Sequence, residues 1–195
     1  MIGKRINYEM FELGVPDMTT EAITWLDANI SSSDTIFEWG SGASTFWLAN
    51  KCNHIYSAEY FKAFYYYLKE QKEDYLYDNI TLLLREPDAV KDSRYIAKYS
   101  SAAGLSFKNF CHSIEDYPSR SFDCVVVDGR VRAQCIHLAM KSVKRGGILV
   151  VDDTDRVEYS TPLTEYLPRF ERVWHFKGKK ATTGRVSQTT IARII

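Results

Sequence analysis

The sequence has no excess of charge of either sign, few glycines and prolines, no paired cysteines and no long apolar run. Lys and Arg number 25 and Asp and Glu number 25, so the formal net charge is zero. A duplex nucleic-acid binder neutralises phosphates with clustered positive charge, so that class is disfavoured. Ten glycines and five prolines in 195 residues form no low-complexity stretch, repeat or linker. The four cysteines, Cys52, Cys111, Cys124 and Cys135, stand apart with no CxxC spacing. They read as isolated thiols of a reducing compartment, not as a disulfide frame or a structural zinc site. No run approaches the ~18–20 consecutive apolar residues of a membrane span. The opening MIGKRINYEMFELG has no apolar core of the signal-peptide kind. These absences lead to the expectation of a cytoplasmic chain with no membrane partner.

What is present is ordinary globular material. Hydrophobic residues make up 45% of the sequence, and its length is that of one domain, enough to bury a core without staples. Residues 1–195 are therefore expected to form a single domain. Short apolar runs alternate with helical stretches. Strands are expected at 35–39, 54–59, 80–84, 122–127 and 148–151, with helices at 19–30, 45–51, 61–72, 107–114, 131–143 and 161–170. The KRGG stretch at 144–147 reads as a turn. Residues 86–106 are polar and irregular, and long loops of that kind are often functional. Near the end, 172–176 and 189–194 read as two strands with no helix between them. A parallel pair needs a crossover, so these two pair antiparallel as a hairpin with a long loop. Lys177, Lys179, Lys180 and Arg185 in that loop read as a solvated tip. The remaining alternation implies a parallel sheet covered on both faces.

The stretch IFEWGSGAST (36–45) places Gly40 and Gly42 between a strand and a helix. Glycines there let the backbone turn sharply and approach a ligand closely. Glu59 ends the next strand, 21 residues after Glu38. An acid at that position can accept hydrogen bonds from ribose hydroxyls. The dinucleotide fingerprint wants Gly or Ala where this chain has Thr45, and a carboxylate at Glu38 would repel a pyrophosphate. A ligand carrying a sulfonium and an ammonium, such as S-adenosylmethionine, suits such a loop better.

With EWGSGAS (38–44), Glu59, VVVDG (125–129), RGGILVVDD (145–153) and the terminal hairpin, the chain resembles class I S-adenosylmethionine-dependent methyltransferases over essentially its full length. The resemblance implies an α/β, Rossmann-like, doubly wound sheet of seven strands in the order 3-2-1-4-5-7-6. Strand 7 would be antiparallel, with helices on both faces. It implies that Glu38, Trp39, Gly40, Ser41, Gly42, Ser44 and Thr45 form the cofactor loop, that Glu59 holds the ribose and that Tyr60 lies near the adenine. Ser113, in the 112–114 segment, is a further adenine candidate, and Asp128 lines the site. Ser44 departs from the third glycine that many members carry.

Asp128 ends the fourth strand, and Asp152 and Asp153 end the fifth. Adjacent parallel strands deliver these ends to one rim, where three like charges need relief by a cation. The placement is similar to that of catechol-type and macrolide-sugar-type metal-dependent O-methyltransferases, which implies Asp128, Asp152 and Asp153 as ligands of Mg²⁺. The catechol branch has a lysine base shortly after the strand-4 acid. Here Gly129, Arg130, Val131 and Arg132 follow. Arginine is a poor base, so Arg130 is expected to clamp an anionic acceptor.

The resulting expectation is a methyltransferase acting at oxygen on a small-molecule or sugar-like acceptor, with Mg²⁺ assistance. Asp128, Arg130 and Asp152 would be its catalytic residues. The acceptor pocket would be built from an N-terminal helical cover (1–30), the 86–106 insertion and the loop after Asp153. A metal-independent N-methyltransferase and a noncatalytic cofactor-binding module on the same fold are the alternatives. A homodimer is compatible with the sequence, and a nucleic-acid partner is disfavoured.

Overall fold

The computed structural model describes residues 14–195, so residues 1–13, and with them part of the expected N-terminal cover, lie outside the described residues. The chain order is α1 (Thr20–Asn29), β1 (Thr35–Trp39), α2 (Ala43–Ala49), β2 (His54–Glu59), α3 (Lys62–Asp74), β3 (Ile80–Leu84), α4 (Lys108–His112), β4 (Phe122–Val127), α5 (Arg132–Ser142), β5 (Val143–Val151), α6 (Val157–Thr164), β6 (Phe170–Lys179) and β7 (Val186–Ile194). Short 3₁₀ turns fill part of the 86–106 insertion and flank α4 and α6.

The strands form one sheet in the order β3-β2-β1-β4-β5-β7-β6. β1 pairs parallel with both β2 and β4, β2 with β3, and β4 with β5. β7 runs antiparallel to both of its neighbours, β5 and β6. This is the expected doubly wound architecture.

Side chains alternate along a strand, so each strand feeds two cores. Phe37, Trp39, Val125, Val127, Leu149 and Val151 face one side, beneath Phe110 and Cys111 of α4 and Cys135, Ile136 and Ala139 of α5. Ile36, Cys124, Val126, Ile148 and Val150 face the other, beneath Ala22 and Leu26 of α1, Phe46 and Leu48 of α2 and Leu68 of α3. Covering both faces explains why the second half of β4 and residues 148–151 of β5 read as unbroken apolar runs. The described part of the N-terminal cover, α1, lies toward the hairpin end of the sheet, with Trp25 and Trp174 rings 4.7 Å apart.

Four elements differ from the sequence expectation. The 144–147 stretch belongs to β5. Val143 pairs with Phe122 and Ile148 with Cys124, so three extra residues bulge out of β5 between those pairs. Gly146 permits the bulge with φ +75°, and a Cβ on Gly147 would meet the Asp123 carbonyl at 2.7 Å. α6 begins at Val157 rather than at 161 and carries Pro162 in its interior. A proline near a helix start is the usual reading. Here the lost N–H bond is offset by burial of Pro162 and Leu163. The hairpin strands run further than expected, which shortens the loop to residues 180–185, where Lys180 N–H donates to the Arg185 carbonyl at 2.9 Å. The 86–106 insertion is structured by an Ile96–Ser106 bridge, and the Asp88 carboxylate accepts from the Ser106 hydroxyl and from the Lys108 and Asn109 amides.

Candidate functional site

The chain leaves β1 toward β2 on one side and returns to β4 on the other, so the loops after β1 and β4 diverge. A crevice at such a switch point is where open α/β sheets bind ligands. Gly40 turns the chain there with φ +98°. A Cβ at Gly40 would come within 2.9 Å of the Gly129 backbone, and one at Gly129 within 2.6 Å of the Phe110 ring. The two loops therefore lie backbone against backbone, and only glycine fits at the contact.

Glu38 is fully buried beneath this turn. Its carboxylate accepts hydrogen bonds from Ser44 Oγ at 2.5 Å, Thr45 Oγ1 at 2.5 Å and Ser57 Oγ at 2.6 Å. Ser57 and Ser41 hydroxyls lie 2.6 Å apart, and Thr45 Oγ1 accepts from the Gly42 amide at 3.0 Å. Burial raises the Glu38 pKa above its ordinary value, and the three hydroxyls offset only part of that rise. Glu38 thus ties β1, β2 and the start of α2 together, and its carboxylate props the loop from below. Ser44 and Thr45, the departures from a glycine-rich pattern, supply two of its three donors. No Lys or Arg occurs between 38 and 45.

Glu59, nearly buried at the end of β2, accepts from the Phe61 amide at 2.6 Å. Tyr60 follows it, set edge-on against Phe107 and Phe110. Two expected cofactor residues turn away from the crevice. Trp39 is fully buried in the core and its Nε1–H donates to the Phe110 carbonyl at 3.0 Å. Ser113 is buried, and its hydroxyl donates to the same carbonyl at 2.7 Å. The two side chains thus meet at one carbonyl at the end of α4, which also accepts from the Ser113 amide. His112, beside Ser113, links Tyr95 of the insertion (Nε2 to Oη, 2.8 Å) to Glu115 (Nδ1 to Oε2, 2.5 Å).

The three aspartates do converge at the rim, and the chain itself neutralises them. Lys180 Nζ lies 2.5 Å from Asp152 Oδ2 and 2.8 Å from Asp153 Oδ1, with its side chain only 4% exposed. The other Asp152 oxygen accepts from Thr189 Oγ1 at 2.8 Å. Asp153 Oδ1 also accepts from Ser187 Oγ and from Arg185. Arg132, nearly buried, pairs with Asp128 at 2.7 Å, donates to the Asp152 carbonyl at 2.6 Å and stands 3.5 Å from Asp153.

These contacts correct three expectations. Lys180 is no solvated tip residue, because β7 runs antiparallel beside β5 and so begins where β5 ends. Asp152, with no exposure and both oxygens occupied, does not face an acceptor. The aspartates also do not fit a divalent cation, since Lys180 and Arg132 hold the oxygens that Mg²⁺ would need. Among the described residues no group of three or more His, Cys, Asp or Glu is arranged to hold a metal ion. Sequence reasoning missed Lys180 and Arg132 as site residues.

Burial pushes the Asp128 carboxyl up, Arg132 opposes, and Asp152 and Asp153 push it further up. Burial acts the same way on Asp153, but there Arg132 and Lys180 prevail and hold its pKa below the usual carboxylate range. Burial lowers the Lys180 pKa, and the three aspartates more than reverse that.

Beside the cluster a cavity of about 520 Å³ opens between the insertion (residues 93–99), the turn into α5 (129–134) and the stretch from Asp153 to Tyr159. Arg130 lines it, and so do Arg156 at the start of α6 and Tyr159 in its first turn. Val131 at the turn has φ +45°, a strained conformation for a β-branched residue and one of the kind found at functional sites.

Two substitutions test this geometry. Glu38→Gln replaces an acceptor oxygen by an amide that cannot accept, leaving a buried hydroxyl without its partner. It should cost about 1–3 kcal/mol in urea unfolding. Lys180→Met leaves buried carboxylates uncompensated and should cost about 3–5 kcal/mol at neutral pH. The depressed Asp153 pKa contributes stability that is full above its ordinary value of 3.8 and is lost as pH falls through the folded value. The gap between wild type and Lys180→Met should therefore narrow as unfolding is measured below about pH 4. A pH-independent gap would mean that Lys180 acts through packing alone.

No protein-family model and no curated protein matches the chain. Solved structures do. The chain is similar to tRNA (m1A58) methyltransferase TrmI from Aquifex aeolicus, with TM-score 0.62 and 13% identity over 96% of this chain and 75% of that one. It is similar to precorrin-6y C5,15-methyltransferase from Geobacter metallireducens, with TM-score 0.60 and 15% identity over 88% of this chain and 87% of that one. M. jannaschii TYW2, solved in complex with AdoMet, matches with TM-score 0.57 and 13% identity over 100% of this chain and 79% of that one. At such identities the likeness is one of fold, and the chain has the Rossmann-like fold that these methyltransferases share.

Proposed function

We propose that the chain is an S-adenosylmethionine-dependent methyltransferase acting on a small molecule at oxygen, without a divalent metal. The observation that carries this reading is the loop after β1. It sits at the switch point of the sheet, has no cationic side chain, and is built over the buried carboxylate of Glu38. Glu59 stands at the end of the neighbouring strand. An acid-flanked loop repels a pyrophosphate and suits a ligand with a sulfonium and an ammonium.

In this reading the Gly40–Ser41–Gly42 backbone holds the methionine end, Glu59 the ribose hydroxyls, and Tyr60 lies beside the adenine. When bound, the cofactor supplies an electrophilic methyl group. The chain's own residues position the acceptor against it. Asp128, whose proton affinity is raised by burial, stands at the junction of loop and cavity and suits accepting the acceptor's proton. The turn from Gly129 to Arg132 and the insertion close the cavity on two sides, so orientation and exclusion of water carry much of the rate. Among the described residues no helix is long and apolar enough to cross a membrane. The matched structures are named for tRNA and precorrin reactions alike, so the acceptor class rests on the cavity.

Calorimetric titration with S-adenosylmethionine and S-adenosylhomocysteine, with NAD as the control, tests the reading. Micromolar binding of both adenosyl ligands is expected. It should be unchanged by Mg²⁺ or EDTA and weakened by at least about tenfold in Glu59→Ala, as for loss of a charged hydrogen-bond partner. Absence of adenosyl binding, or preference for NAD, would overturn it. A strict Mg²⁺ requirement for turnover would overturn the metal-free form alone.

A further inference from the structure

The cavity beside the aspartate cluster carries more positive charge than its surroundings consume. Five cationic side chains line it, Arg94, Lys98, Arg130, Arg132 and Arg156, against two acids, Asp153 and Glu158. Most of that charge is spoken for. Arg132 pairs with Asp128, Arg94 with Asp92, and Arg156 shares Asp153 with Lys180 and Arg185.

Arg130 is different. One of its terminal nitrogens donates to the Tyr60 hydroxyl at 2.9 Å, and its guanidinium lies 5.0 Å from the centre of that ring. Both of these partners are neutral. Among the described residues it has no carboxylate partner, and its Nε is buried with no hydrogen-bond partner. A charged donor left unmade in a buried position is costly unless a ligand completes it. Guanidinium presents its donors as a planar fork that matches two oxygens of one anionic group. Lys98 at the mouth also forms no ion pair among the described residues, and its side chain is exposed. The strained Val131 sits between Arg130 and Arg132 and sends the two arginines to different tasks.

From this we infer that the acceptor carries a compact anionic group, a carboxylate or a phosphate monoester, received by Arg130 with Lys98 and Arg156 beside it. The inference rests on the methyltransferase reading for the word acceptor, while the anion site stands or falls separately. A cavity of about 520 Å³ is of small-ligand size. A nucleic-acid strand would want a basic stripe with interleaved aromatics, whereas these cations are interspersed with acids in a chain of zero net charge.

The experiment titrates the full chain, with and without saturating S-adenosylhomocysteine, with benzoate, phenyl phosphate, benzamide and a short single-stranded RNA at low salt. At least one of the two anions should bind about tenfold or more tightly than the isosteric neutral amide. Benzoate against phenyl phosphate tells carboxylate from phosphate. Arg130→Gln should weaken the anion about tenfold or more and shift S-adenosylhomocysteine by less than about twofold. Arg130→Lys keeps the charge and loses the fork, and it should also weaken the anion, so it serves where Arg130→Gln does not fold. The inference is overturned if neither anion binds at millimolar concentration or if benzamide binds equally. It is overturned as well if the arginine variants leave anion binding unchanged, if they weaken S-adenosylhomocysteine as much as the anion, or if RNA binds more tightly than both anions. If S-adenosylhomocysteine fails to bind while the anion binds through Arg130, the methyltransferase reading falls and the anion site remains.

Discussion

Three carboxylates at the carboxyl rim of the parallel strands, Glu38, Asp152 and Asp153, are buried, and much of the local structure follows from how their desolvation is offset. Glu38 and the Asp152–Asp153 pair receive opposite solutions. Glu38 lies under neutral donors only, three hydroxyls drawn from β2 and α2. The aspartates lie under cations, Lys180 from the hairpin turn and Arg132 from α5. A buried carboxylate can be satisfied either way, but the consequences for a ligand differ. Hydroxyls leave the loop after β1 without positive charge, as the proposed reading of a cationic ligand needs. Cations make the far side of the rim electrostatically closed.

The hydroxyl solution also explains the departures of this loop from a glycine-rich pattern. Thr45 accepts from the Gly42 amide and donates to Glu38 with the same oxygen. A glycine or alanine there would lose both contacts, and Glu38 would lack one of its donors. The polar residues at 44 and 45 are therefore what allow an acid to sit at 38. Ser57 on β2 completes the set, and it drew no notice in the sequence because a lone serine in a strand carries no pattern.

What could be read from the sequence was local. Alternation along 35–39 and 122–127, the glycines at 40 and 42 and the acid at 59 all act within a few residues of where they stand, and the strand pattern led to the observed sheet. The elements misjudged depended on distant partners. Residues 143–147 join β5 because Phe122 offers a pairing partner and Gly146 and Gly147 let the bulge close. Trp39 is buried in the core with its Nε1–H on the Phe110 carbonyl, 71 residues along the chain. Lys180 looked like a solvated tip because its partners are 27 and 28 residues away in the chain. Its position was nonetheless implicit in the topology. A final strand antiparallel to β5 must begin at the carboxyl end of β5, so the residues just before it lie over Asp152 and Asp153. Three acids at one rim and a basic turn delivered to the same rim were two halves of one observation.

That pairing also changes what the rest of the site must do. A divalent ion would have been shared between the protein and the acceptor, activating the acceptor oxygen directly. Lys180 is enclosed, with its bonds directed at Asp152 and Asp153, so it neutralises the rim without reaching a substrate. Arg132 is consumed in the same way by Asp128 and the Asp152 carbonyl. In the proposed reading, binding and orienting the acceptor then falls to groups at the edge of the cluster. On the cavity wall that leaves Arg130, with a buried donor and only neutral partners, while Asp128, paired with Arg132, stands one residue before the lining. The two stand two residues apart on the turn that Gly129 and the strained Val131 shape. In the proposed reading a proton acceptor and an anion receptor so placed act on one small molecule, and Arg132, which joins Asp128 to the Asp152 carbonyl, ties their turn to the aspartate cluster.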